Sequence, residues 1–405
     1  MVSLDNIISE NLNKNANFAI IHTGKKVPYS EENSFILSNE ISQISDNDFR
    51  KIESFLSQKN QVKNLFGWFG YELKNRLETL IEEEKSFLET DELFFSNFQQ
   101  KNIFSKEEFD EYFRSISAEF LTPKIKNFQS NMSKNSYLDK IKEIKKLIEE
   151  GVIYQANLTR KFFGEFAEKI NPLSIFARLI SNSPAPFSAF YKAGETYVLS
   201  ASPELFLSFN SKNNKIITCP IKGSASASQG RELSESKKDI SENLMITDLM
   251  RNDLSRVCKF GSVKVEDLFA ISEFSTISHM YSTISGILED NKNAIDVIKA
   301  TFPPGSMTGA PKISAMEVCS KLENIKRGIY SGILGYFNQN DETKNIDCQF
   351  SVVIRTIIIQ GNKFEFQVGG GIVYDSDPES EWQETITKAS AITKTLGLTE
   401  DILRI

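Results

Sequence analysis

Two short turns constrain the fold of this 405-residue chain more than any other feature of its sequence. Asn213-Asn214 separates the runs Leu205 to Phe209 and Lys215 to Thr218, and Gly361-Asn362 separates Val352 to Ile359 from Phe364 to Val368. Runs rich in β-branched and aromatic residues around such turns predict antiparallel hairpins, because a short connection cannot carry the chain to a parallel partner. Helical patterns intervene at about 233–253, 293–301, 311–322 and 378–396. The last is marked at both ends, by Asp377 as N-cap, Pro378 at the first helical position and Gly397 beyond the end. Another helix is expected from Ser136, with Asp139 as an approximate capping box, Leu138, Ile141, Leu147 and Ile148 roughly on one face, and Gly151 as its stop. Hairpins alternating with helices, without regular βαβ spacing, predict an α+β fold with largely antiparallel sheets.

The polar stretch from Leu121 to Asn135 reads as a linker between an N-terminal region, 1–130, and a catalytic region, 131–405. A net charge of −7 argues against a nucleic-acid partner, which needs a basic face. Met1 to Asn6 has neither the basic flank nor the apolar core of a signal peptide, and no apolar run approaches the roughly 18 residues of a membrane span. A cytoplasmic protein without membrane attachment is expected. Cys219, Cys258, Cys319 and Cys348 lie far apart with no metal-knuckle spacing. With only His22 and His279 present, any metal must be held by oxygen ligands, which favours magnesium.

Several residues carry chemistry. Glu242 lies on the apolar helical pattern near 233–253, where an acid is costly unless paired or metal-bound. Glu381 and Glu384 are three apart and share a helix face. Carboxylates from two helices suit magnesium, although acids solvated on a helix surface look the same in sequence. Gly369-Gly370-Gly371 after a strand lets the backbone approach an anion, or makes a bulge. The turn from Pro303 to Lys312 feeds a helix N-terminus, a second candidate anion site. Arg355 interrupts an apolar strand, so its guanidinium binds a ligand carboxylate or pairs with an acid. Lys222, in Pro220-Ile221-Lys222-Gly223, would be neutral in only about one molecule in 2,500 at pH 7 with its ordinary pKa. Acting as a nucleophile therefore requires burial or nearby positive charge. Glu204, in an adjoining strand region, is a candidate general acid.

In this order, the motifs resemble the chorismate-utilising enzymes, the family of anthranilate, aminodeoxychorismate, isochorismate and salicylate synthases. The resemblance runs from about Ile153 to Ala391 and includes Tyr154 to Thr159, Ser202-Pro203-Glu204, Glu242 to Asp253, Gly305 to Lys312 and Arg327 to Tyr330. It continues through Ile354-Arg355-Thr356, Gly369 to Val373 and Gln383-Glu384-Thr385. Lys222 stands where anthranilate synthases usually carry alanine, and Pro220 to Gly223 looks like component I of aminodeoxychorismate synthase, as does Ala185 to Phe190. Gln155 stands where isochorismate and salicylate synthases have their water-activating lysine, which disfavours water addition.

The resemblance implies antiparallel sheets packed as a sandwich with helices outside, and the following roles. Glu242 and Glu384 would hold magnesium, with Glu381 reaching it through water, and the metal would bind the ring carboxylate of chorismate. Arg355, Tyr330 and the backbone of Gly369, Gly370 and Gly371 would bind the enolpyruvyl carboxylate, with His279 and Ser306 near the ring. Lys222 would attack C2 as the C4 hydroxyl leaves with help from Glu204, and ammonia would then give 4-amino-4-deoxychorismate, a precursor of para-aminobenzoate and folate. No glutaminase signature surrounds either histidine, so ammonia is expected from a separate glutaminase subunit, and a separate aminodeoxychorismate lyase is expected downstream. Ser224 in place of the usual threonine and a short segment between Lys222 and Glu242 depart from the family pattern. The N-terminal region matches mainly through Gly67 to Leu73.

Overall fold

The computed structural model describes residues 3–24, 27, 30, 34–80, 85–226, 230–273, 277–340 and 342–404. Its strands pair antiparallel throughout and form one continuous hydrogen-bonded path. From Gln155–Phe166 the path crosses Lys363–Ile372, Thr356–Gln360, Thr196–Ser202 and Phe187–Ala193. It then takes in Phe18–His22, Ser34–Asp46, Leu93–Phe104 and Asn64–Phe69. It continues through Ile333–Gln339, Ile346–Val352 and Leu205–Asn210. At its far end Lys215–Cys219 and Ile221–Ser226 pair in succession along one edge of Ile277–Ile287, and Lys264–Glu273 pairs along the other.

The halves of this path lie face to face. One apolar core draws Ala19, Trp68, Tyr191, Val198, Leu334 and Ile358 from strands of both halves, which makes the sandwich. Helices cover the two outer faces, Pro172–Asn182 and Pro378–Leu396 on one, Lys237–Ser255 and Ala294–Thr301 on the other. Trp382, Ile386, Ala389, Ile392 and Leu396 recur at helical spacing along the inner side of Pro378–Leu396, and each large one contributes about 1.5–3 kcal/mol by burial. Asp377 accepts from the Ser380 N–H and Gly397 closes the helix at φ 71°, as the sequence predicts. Among the described residues no helix is long and apolar enough to cross a membrane.

Both hairpins form, with Asn214 and Gly361 left-handed in their turns. Three expectations need correction. The stretch 121–135 contains the strand Ile125–Ser130, an edge strand on Gln155–Phe166 whose alternating exposure hides its signal. The next helix starts at Lys134, capped by Ser133 rather than from Ser136, because the Ser133 side chain accepts the Ser136 N–H. The run from Val352 to Ile359 is not one strand: it breaks between Ile346–Val352 and Thr356–Gln360, with Arg355 left-handed at φ 51°.

The motif Gly67 to Leu73 sits in the middle of the strand path. Gly67 opposes Gly335, and a Cβ on either would lie 2.0 Å from a neighbouring carbonyl oxygen. Beyond it, Glu72 accepts the backbone N–H groups of Arg327 at 2.7 Å and Gly328 at 2.9 Å. The strands of the first 130 residues are therefore paired on both sides with strands of the later part.

Candidate active site

The two ends of the strand path meet at one cleft. Ile221 opposes Tyr281 but Ser224 opposes His279, so the Lys222 strand carries one extra residue. Such a bulge re-aims a side chain out of strict alternation. Gly223 adopts φ +87°, and a Cβ there would lie 2.9 Å from both Asp239 and Leu233, so only glycine fits beside the lysine. Lys222 Nζ donates to the Ser306 carbonyl at 3.1 Å.

Gly369, Gly370 and Gly371 end the facing strand, paired in regular register with Thr159, Leu158 and Asn157. None of them has positive φ, so what they supply is space. A Cβ on Gly371 would lie 2.3 Å from Gln155 Nε2, 3.1 Å from Glu242 Oε2 and 3.4 Å from Lys222 Nζ. On the other side of the strand, a Cβ on Gly370 would meet Glu381 Oε2 at 3.1 Å and Glu384 Oε1 at 3.7 Å. Both amide atoms of Gln155 are buried without a hydrogen-bond partner among the described residues, as is Glu381 Oε2. Buried polar groups without partners are costly, so these atoms are free to hydrogen-bond a group entering the cleft.

Electrostatics differ from residue to residue. Burial lowers the pKa of Lys222, and Lys388 reinforces this while Glu242, Glu204 and Glu384 oppose it. Burial raises the Glu204 carboxyl to about 7, partly opposed by the Ser306 hydroxyl and the Lys222 ammonium. At neutral pH a substantial fraction of Glu204 is therefore protonated, as a general acid requires. Burial also raises Glu242, against Lys222 and Lys238. Glu384 goes the other way: burial pulls it up, but Lys388 at 2.6 Å, Lys238 and Lys222 outweigh that and hold it below the usual carboxylate range.

Arg355 and His279 share the cleft, with Arg355 Nη2 3.5 Å from His279 Nε2. Arg355 is left-handed at φ 51° between the flanking strands, and burial lowers its pKa to about 10. Ser306 lies on the turn whose carbonyl meets Lys222. Tyr330 packs in the second apolar core, where the charges acting on its hydroxyl are those of Arg327 and Glu323, and its neighbour Ser331 donates its N–H to the Val353 carbonyl just ahead of Arg355. The turn from Pro303 to Lys312 is tied down by Lys312, whose ammonium donates to Asp253, to the Thr301 carbonyl at 2.8 Å and to the Pro303 carbonyl at 3.1 Å.

Two cationic residues of the cleft were not singled out from sequence. Lys238 and Lys388 stand four residues from Glu242 and Glu384, the i,i+4 spacing at which opposite charges meet on a helix. Lys388 also donates to the Gly369 carbonyl at 2.9 Å. With these ammonium groups among the acids, no three acidic, histidine or cysteine side chains among the described residues converge as a ready cage for a metal. The donor chemistry still suits a hard divalent cation: carboxylates from two helices, one with a buried unpartnered oxygen, around glycines that leave the space open.

A family model described as chorismate binding enzyme matches residues 5–394. The chain is 34% identical over 304 residues to an anthranilate synthase component I-like protein of Synechocystis, covering 73% of this chain and 60% of that one. It is 38% identical over 278 residues to aminodeoxychorismate synthase component 1 of Escherichia coli, covering 67% of this chain and 59% of that one. The chain thus matches about three fifths of the length of these relatives. The crystal structure of anthranilate synthase component I from Streptococcus pneumoniae has the same fold, with a TM-score of 0.74 at 24% identity, covering 91% of this chain and 93% of that chain.

Proposed function

This chain belongs to the chorismate-binding enzyme family, and on that premise we propose that it is component I of an aminodeoxychorismate synthase. The observation that carries the proposal is Lys222, a desolvated amine aimed across the cleft at Gly371 with Glu204 close enough to feel its charge. Relatives named for anthranilate synthesis match about as well as those named for aminodeoxychorismate synthesis, so overall similarity does not choose between them. The amine at position 222 supports the aminodeoxychorismate reading, by supplying a nucleophile that alanine lacks.

In the proposed reaction the Lys222 amine forms a bond to C2 of chorismate while the C4 hydroxyl departs as water, taking its proton from Glu204. That step moves both ring double bonds by one position; ammonia then bonds to C4, both double bonds shift back, and the C2–N bond breaks to release the lysine. The product is 4-amino-4-deoxychorismate. Arg355 and His279 hold a carboxylate of the substrate, and Gln155, without an amine, cannot activate water as a lysine there would. Glu242 and Glu384, with Glu381 through water, would hold magnesium, whose positive charge would anchor the ring carboxylate. Ammonia would come from a glutaminase partner, consistent with the component 1 names of the relatives, and a lyase would consume the product. The four cysteines are buried free thiols, in keeping with a cytoplasmic setting.

The test is to incubate the purified chain with chorismate, magnesium and ammonium at mildly alkaline pH and identify the product by mass spectrometry, with and without an aminodeoxychorismate lyase. Aminodeoxychorismate, converted by the lyase to para-aminobenzoate, is expected. Anthranilate would overturn the assignment.

A further inference from the structure

We propose that Lys238 is a built-in cation that occupies the acidic site before metal arrives and has to leave when a divalent ion binds. The inference rests on Glu242, Glu381 and Glu384 being the metal-binding set. Lys238 Nζ lies 2.8 Å from Glu381 Oε1 and 3.8 Å from Glu242 Oε1, so one ammonium bridges acids of two helices. The same Glu381 oxygen accepts from the Ser376 hydroxyl at 2.6 Å, and Glu381 is 1% exposed. That carboxylate is therefore fixed, and the mobile partner is the lysine.

Three features suit Lys238 to leaving. Its side chain is 40% exposed, so a path to water is open. Its one hydrogen bond among the described residues is the one to Glu381, whereas Lys388 is held by both Glu384 and the Gly369 carbonyl. It also stands in the first turn of Lys237–Ser255, where the helix dipole disfavours a positive charge, so the acids alone draw it inward. A divalent cation brings two charges where the lysine brings one, and its approach to Glu242 and Glu381 meets the ammonium head-on. Metal binding is thereby an exchange of cations, which weakens it in the free protein and ties it to the contact between the two helices.

The experiment is a manganese titration followed by electron paramagnetic resonance, at fixed pH and without chorismate, so that turnover plays no part. Lys238→Met is expected to bind Mn²⁺ about tenfold tighter than the parent, equivalent to roughly 1.4 kcal/mol. Lys238→Arg keeps the charge and should stay with the parent, while Glu384→Gln should lose the ion. Melting curves check folding, and Lys238→Gln replaces the methionine variant if that one melts early. Equal or weaker binding by a folded, charge-free variant overturns the proposal while leaving the metal set intact, provided Glu384→Gln still loses the ion. Unchanged binding by Glu384→Gln overturns both.

Discussion

Arg327 and Arg355 are the same residue type in enclosed surroundings, and they are treated in opposite ways. Arg327 donates to both oxygens of Glu323, to the Met307 carbonyl at 2.7 Å and to the Asn157 carbonyl at 2.8 Å. Burial pulls its pKa down, but Glu323 outweighs that and holds it well above the ordinary arginine value. Its loop is clamped from the N-terminal segment by Glu72. The Arg355 guanidinium has no carboxylate partner among the described residues, meets only His279 by hydrogen bond there, and is lowered by burial alone. A closed buried network rigidifies, while an open one is costly until a ligand completes it. The Arg327 hub is a closed network, whereas Arg355 and Gln155 are left with open hydrogen-bonding capacity, as the proposed binding of an anion requires.

The largest test of that contrast is Lys222→Ala. Losing the nucleophile should lower aminodeoxychorismate output on the order of 10⁴-fold, with only a modest fall in melting temperature, since one hydrogen bond to the Ser306 carbonyl, about 1 kcal/mol, goes with the amine. Undiminished output in a product assay would end the nucleophile assignment. Arg327→Gln should do the reverse, costing about 3–5 kcal/mol in urea unfolding because Glu323 is left buried and unpaired. A loss below ~1 kcal/mol would erase the distinction between hub and cleft.

Arg355→Gln should raise the KM for chorismate roughly 10- to 100-fold, from about 1.5–3 kcal/mol of charge-assisted hydrogen bonding, while stability barely moves. Steady-state kinetics with unchanged KM would remove Arg355 from substrate binding. The smallest effect is at Glu204. Its folded pKa of about 7 stands above the ordinary 4.5, so the stability it contributes is fully present at low pH and is lost as pH rises through 7. Glu204→Gln, neutral throughout, should gain about 2 kcal/mol on the parent between pH 5.5 and 8.5 in parallel unfolding curves. A pH-independent difference would show that the carboxyl is not held neutral by burial.

Much of this was legible in the chain. Hairpin turns and helix ends are local, so Asn213-Asn214, Gly361-Asn362, Asp377 and Gly397 disclosed their elements directly. The edge strand at Ile125–Ser130 did not, because a short, half-exposed strand has almost no apolar period to read. Lys238 and Lys388 had a spacing signal toward their acids, but i,i+4 pairs are common on any helix surface and nothing local sets these two apart.

By itself the sequence determined the two hairpins, the end of the last helix, the antiparallel class and the family, through motifs whose residue types are each chemically demanding. Only the tertiary structure decided that Gln155, Lys222, Glu242 and Gly371 share one cleft, that a bulge aims the lysine there, and that Lys238 lies between Glu242 and Glu381. Those residues lie on separate elements, and what joins them is the meeting of the two ends of one long strand path. No local pattern encodes that meeting, because it depends on packing every intervening strand.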